Sequence, residues 1–222
     1  MANMLQSFLL VFLGLLPIVN PPGSALLFLA MTRRGSRRQR TMLAQQVATY
    51  AFFIMIAALT VGAFVLQLFG VSVPVLRVAG GLVLALSGWR MLDAPSMQAE
   101  TAPVLDAGEA HELDRMAFYP LTMPLTAGPG TVAVAVAIGT GGSDSAGLPV
   151  AKLIGALIGA LVAALAISAL VYVCYRFADR LENVLGDSGS DALGRLFAFI
   201  LICMGIQIFW NGFTDLWISL PR

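Results

Sequence analysis

Charge is scarce in this chain. Asp and Glu number 12 and Lys and Arg 13 in 222 residues, 11% together, against about 25% in an ordinary soluble domain. That shortage excludes a water-exposed globular surface over most of the length. The near balance of signs, a formal net charge of +1, leaves no basic face for nucleic acid. Cysteine and histidine are rarer still. Cys174, Cys203 and His111 cannot furnish a structural metal centre, and the two cysteines fall inside apolar runs, where reduced packing residues are expected. No Gly-rich Lys-Ser/Thr loop and no nucleophile elbow occurs, so phosphate cradling and hydrolase chemistry lack their usual parts. No Asp or Glu stands in the middle of a long apolar segment; Asp215 comes nearest, close to the end of the last one. The usual intramembrane carboxylate relay is therefore missing. Without such acids, metal ligands or a nucleophile–base pair, an enzyme is not expected. No cofactor is expected either, and a coupling ion, proton or sodium, stays open.

What the chain has is apolar length. It is 59% hydrophobic, with a mean hydropathy of +0.87. Six segments, roughly 5–31, 42–68, 72–92, 116–139, 149–175 and 194–217, reach the ~20 apolar residues that a bilayer-spanning helix needs. The expected fold is an all-α polytopic membrane protein. The apolar run at 8–16 has no Lys or Arg before it and no small-residue cleavage site after it, so it reads as part of the first span and not as a cleaved signal.

Two of these segments are interrupted by the same string. Residues 16–24 read Leu-Pro-Ile-Val-Asn-Pro-Pro-Gly-Ser and residues 123–131 read Met-Pro-Leu-Thr-Ala-Gly-Pro-Gly-Thr. One shift places Pro17 on Pro124, Pro22 on Pro129, Gly23 on Gly130 and Ser24 on Thr131. Proline removes a backbone donor and glycine loosens the chain, so each string should break its helix. The expected half-helices end near Leu16 and Met123 and restart near Gly23 and Gly130. Matched breaks in the two halves of a membrane protein point to a transporter's binding site. Each break should present amides and roughly half a positive charge at one helix start, and free carbonyls at the preceding helix end. A small zwitterion suits that arrangement. Its carboxylate would sit on the amides of Gly23–Ser24 or Gly130–Thr131, and its ammonium on the carbonyls of Pro17–Asn20 or Met123–Ala127. Asn20, Ser24, Thr126 and Thr131 would add side-chain hydrogen bonds.

The shift also divides the chain into a first three-helix unit at 1–92, an acidic linker at 93–115 and a second three-helix unit at 116–222. An odd number of spans per unit makes the second copy inverted. Gly155, Gly159 and Ala163 form a small-residue stripe read as packing within the monomer. Loop charge gives the orientation. Arg33, Arg34, Arg37, Arg38, Arg40, Arg90, Arg115, Arg176, Arg180 and Arg195 fall on one side, and Arg77, Lys152 and Arg222 on the other. The positive-inside rule then places both termini outside and the acidic linker, Asp93 to Asp114, in the cytoplasm as a solvated connector.

At Asn20-Pro21-Pro22-Gly23 and Pro124-Leu125-Thr126-Ala127-Gly128-Pro129-Gly130, the chain resembles the MarC family of bacterial inner-membrane proteins. Arg77-Val78-Ala79-Gly80-Gly81 and the stretch from Arg195 to Gln207 add to the likeness, which covers nearly the whole length. Arg90 departs from the glutamine of the family pattern, which Gln207 keeps in the second copy. The resemblance implies six spans, discontinuous first and fourth helices, and transport, as an exporter, of small neutral amino acids such as glycine and alanine. It implies a bacterial inner-membrane location. The substrate-binding residues would be Asn20, Pro21, Pro22, Gly23, Ser24, Thr126, Ala127, Gly128, Pro129, Gly130 and Thr131. The family name is associated with antibiotic resistance, but no aromatic-lined wide cavity is legible that would support drug efflux. Alternatives from other classes are a non-transporting assembly or regulatory membrane protein and a resistance-related efflux protein. The oligomeric state is not legible.

Overall fold

A computed structural model describes residues 2–32, 35–93, 115–140 and 150–219, and no strand occurs among them. The helices are α1 (Ala2–Val19), α2 (Pro21–Thr32), α3 (Arg37–Thr60), α4 (Gly62–Leu68), α5 (Val73–Asp93), α6 (Ala117–Thr126), α7 (Pro129–Thr140), α8 (Val150–Arg176) and α9 (Ala178–Ile218). The acidic linker, apart from its ends, lies outside the described residues. Five spans are long and apolar enough to cross a bilayer, at Met4–Thr32, Arg37–Thr60, Val73–Asp93, Lys152–Arg176 and Ala192–Ile218, and the bent pair α6–α7 makes a sixth. The large side chains left exposed, among them Phe53, Phe64, Leu86, Trp89, Leu165, Trp210 and Trp217, are what a hydrocarbon solvent requires. The chain is an all-α polytopic membrane protein.

Local chemistry sets the element ends. Ser36 accepts a hydrogen bond from the Gln39 amide at 3.2 Å, and the Gln39 side chain returns one from the Ser36 amide at 2.8 Å. This reciprocal cap starts α3 directly after the arginine-rich turn. Gly186, at φ 67°, bends α9 between its first turns and its membrane span. The sequence reading leaves residues 178–193 as a loop; they are helical because nothing between Ala178 and Ile218 except Gly186 interrupts the helical dihedrals.

Leu15, Val19, Phe28, Leu43, Val47, Met55, Leu121, Ile167, Val171 and Tyr175 share one buried core. α1 and α2 pack on α8, α6 and α7 pack on α3, and α3 meets α8. α8 runs in the direction of α1–α2, since Gly159 lies against Met4 and Phe8 while Tyr175 stacks on Phe28. α3 runs in the direction of α6–α7, with Tyr50 on Phe118 and Gly62 on Val136. α5 and α9 form the closest pair and run antiparallel. A Cβ on Gly81 would lie 2.6 Å from the Gly205 carbonyl, and one on Gly205 would lie 2.4 Å from the Ala85 amide. Only hydrogen fits between these backbones, the close approach that small residues give membrane helices. Arg77 at one end of this pair donates to Asp215 at 2.6 Å. The first arginine-rich turn is tied to α9 by an ion pair between Arg40 and Asp179.

Candidate functional site

The first break is narrower than the sequence suggests. α1 continues through Pro17 to Val19, and only Asn20 leaves the helical region, at φ 45°. Pro21 and Pro22 occupy the first two positions of α2, where no amide is required. Asparagine tolerates left-handed backbone, and here its side chain also caps the new helix. Asn20 Oδ1 accepts the Gly23 amide at 3.3 Å, and its carbonyl accepts the Ser24 amide at 2.9 Å. The Ser24 hydroxyl donates to that same carbonyl at 2.9 Å and lies 3.4 Å from the Val19 carbonyl. The amides of Gly23 and Ser24 are thus occupied by Asn20, contrary to the free donors expected from the sequence. The free groups at this break are acceptors. Residues 21 and 22 are prolines, so the carbonyls of Pro17 and Ile18 receive no hydrogen bond from any described residue.

The second break is wider. Tyr119 and Met123 are extended, at φ −129° and −108°, because each precedes a proline that disfavours helical backbone before it. The chain between them winds loosely. The hydroxyls of Thr122 and Thr126 donate to carbonyls five residues back, Ala117 and Leu121, at 2.7 Å each. Ala127 and Gly128 then turn the chain, and α7 departs from α6 at 63°. Position 127, the counterpart of Asn20, is alanine and offers no cap. The first bond into α7 runs from the Val132 amide to the Gly128 carbonyl, 3.1 Å, and the Gly130 and Thr131 amides find no partner among the described residues. One break therefore leaves acceptors open and the other leaves donors open.

Asn20, Pro21, Gly23, Ser24, Thr126, Ala127, Gly128, Gly130 and Thr131 are buried, Pro22 is half-buried, and Pro129 is exposed. A Cβ on Gly23 would point at Asn20 and at Phe197 of α9, and one on Gly130 at Leu84 of α5. What joins the two breaks is Tyr175, near the end of α8. Its buried hydroxyl lies 2.7 Å from Thr126 Oγ1, while its ring stacks on Phe28 of α2 with centroids 4.5 Å apart. Sequence reasoning missed Tyr175, Phe28, Phe197 and Leu84. The one signal was a phenol within the apolar run of the fifth span. Ser168, two turns earlier on the same helix, is buried with its hydroxyl unpartnered. Gln207 bonds Asn211 on its own helix at 2.9 Å, and both are exposed.

Asn20 makes a testable point of the local geometry. Asn20→Ala removes the cap and replaces asparagine, which tolerates left-handed backbone, with a residue that does not, a loss of about 1–2 kcal/mol. Asn20→Gly keeps the backbone and costs only a few tenths of that scale. Thermal unfolding in detergent should therefore rank wild type, Asn20→Gly and Asn20→Ala in falling order.

These features define a polytopic α-helical integral membrane protein with two interrupted spans whose ends carry unpaired backbone groups. A family model described as MarC family integral membrane protein matches residues 5–217. The inner membrane protein MarC of Salmonella typhimurium is 32% identical over 220 residues, covering 96% of this chain and 98% of that relative. The Escherichia coli protein of the same name is 34% identical over 223 residues, with the same coverage. No solved structure matches the chain. The chain belongs to the MarC family, and it is a multi-pass inner-membrane protein.

Proposed function

We propose that the chain is a secondary transporter of small neutral amino acids, glycine and alanine among them, rather than an enzyme, and that the substrate binds between the two breaks. The observation that carries this reading is their complementarity. The first break has the Pro17 and Ile18 carbonyls without donors, which suits an ammonium group. The second has the Gly130 and Thr131 amides without acceptors at a helix start, which suits a carboxylate. Unsatisfied backbone at membrane depth costs several kcal/mol per group unless protein, water or a ligand meets it. None of the proposed site residues is charged, so a charged substrate side chain would find no counter-ion there. Asn20 holds the Gly23 amide, so the carboxylate belongs on the Gly130 and Thr131 amides. The test is exchange of labelled glycine and alanine in proteoliposomes with imposed proton and sodium gradients. Exchange above empty vesicles is expected, and its absence under every gradient would remove the reading.

The pairing of helices supports an inverted repeat in which the first and fourth, second and fifth, and third and sixth spans exchange. The first span packs on the fifth as the fourth packs on the second, and each pair runs in one direction. The third packs antiparallel on the sixth. We place both termini outside from the arginine distribution. Single cysteines at Ser36 and Gln98 should label only from inside, and one at Ser143 from outside; the reverse pattern would invert the orientation and leave the fold untouched.

A further inference from the structure

We propose that Tyr175 is a positioning residue that clasps the two breaks into one site; this rests on the transporter reading above. Three spans meet at its side chain. Thr126, which ends the wound segment of the fourth span, meets its hydroxyl, Phe28 of α2 stacks on its ring, and Tyr175 itself stands near the end of α8. The proton bookkeeping fixes the direction. The Thr126 hydroxyl spends its proton on the Leu121 carbonyl at 2.7 Å. The hydrogen in the 2.7 Å contact between Thr126 and Tyr175 is therefore the phenol's, and Tyr175 donates to Thr126 Oγ1. The Ser24 proton goes to the Asn20 carbonyl at 2.9 Å, so Ser24 is bonded within its own break.

Thr126 and Ser24 sit at the two ends where the open groups lie. Thr126 is four residues before Gly130. Ser24 hydrogen-bonds Asn20, whose amide closes the last turn of α1 on the Leu16 carbonyl at 2.9 Å. A side chain that donates to Thr126 while its ring stacks on Phe28, one turn beyond Ser24 on α2, thus fixes the open amides relative to the open carbonyls. The ring is independently anchored by its stack on Phe28, so the hydroxyl is held at a set height between the breaks. Among the described residues, the Thr126–Tyr175 bond joins two spans, whereas Ser24 and Thr122 bond within their own segments. Tyr175 touches no open backbone group and is not assigned contact with substrate.

The consequence is a separable effect on affinity. Tyr175→Phe keeps the ring, its stack and its burial and removes only the phenol oxygen. It should raise the KM for glycine exchange in proteoliposomes two- to tenfold, the worth of one neutral hydrogen bond. Vmax and the unfolding temperature in detergent should stay near wild type. The double variant Tyr175→Phe/Thr126→Val should be no worse than Thr126→Val alone, because both remove the same bond. Tyr175→Ala, which also removes the stack, should lower the unfolding temperature and so separates packing from positioning. If wild type exchanges glycine and Tyr175→Phe has the same KM, the clasp is wrong and the transporter reading stands. If Tyr175→Phe raises KM and lowers Vmax and the unfolding temperature together, or the double variant is additive, Tyr175 is a packing residue only. If wild type exchanges no neutral amino acid, the reading of the site falls and the clasp falls with it.

Discussion

Gly23→Val is expected to abolish binding of glycine and alanine while the protein still inserts into the membrane. A Cβ at this position would lie 2.3 Å from the Asn20 side-chain nitrogen and 2.9 Å from the Phe197 ring, closer than non-bonded atoms approach. Relief requires either that Asn20 leave its capping position or that α2 move away from α9. The first releases the turn that leaves the Pro17 and Ile18 carbonyls open, and the second separates the breaks. Overpacking of this kind costs about 1–3 kcal/mol, which in affinity is roughly a five- to two-hundredfold loss, and a β-branched side chain stands at the upper end. Gly130→Val should be milder in packing, since its nearest neighbour is the side chain of Leu84 at 3.0 Å, which can give way. Equilibrium binding on purified, monodisperse variants checks both. Normal affinity in Gly23→Val would reduce the first motif to a kink.

A larger structural effect is expected in the α5–α9 pair. Gly205→Leu should prevent a stable fold or lower the unfolding temperature sharply. The new Cβ would meet backbone on both sides, the Ala85 amide at 2.4 Å and the Gly81 carbonyl at 2.7 Å, so no rotamer change relieves it. The helices would have to part, and with them the Arg77–Asp215 contact and the seats of Leu84 and Phe197 beside the two breaks. Folded yield after membrane extraction measures it. Leu substitution at Gly70, where a Cβ meets nothing within 4 Å but φ is +67°, should cost only about the 1–2 kcal/mol of left-handed backbone.

The spans were legible because bilayer thickness writes itself into apolar length: five of the six segments match their spans to within a few residues, while the second, read as 42–68, is the span Arg37–Thr60 followed by the short helix α4. The two breaks were legible because proline has no amide. Their inner geometry was not. The strings match at Pro17 and Pro124, but Asn20 caps its helix and Ala127 cannot, so the same string yields a one-residue break in the first span and a 63° bend in the fourth. The extra Pro120, and the extended Tyr119 and Met123 before Pro120 and Pro124, widen the second break further. The partners of the breaks were also hidden. Tyr175, Phe197 and Leu84 lie far away in sequence, on helices whose apolar pattern says only that they are buried. Arg77 counted in the sequence only as a loop charge; it finds Asp215 across the antiparallel pair, a contact that depends on register and not on composition.

The central claim is that the open carbonyls of one break and the open amides of the other together recognise a small zwitterion. Competition binding of labelled glycine to the purified full chain tests it most directly, with alanine, glycinamide and acetate as competitors. Alanine should displace glycine with comparable affinity, while glycinamide, which lacks the carboxylate, and acetate, which lacks the ammonium, should each be at least tenfold weaker. Equal competition by either truncated ligand, or no saturable glycine binding at all, would contradict the account.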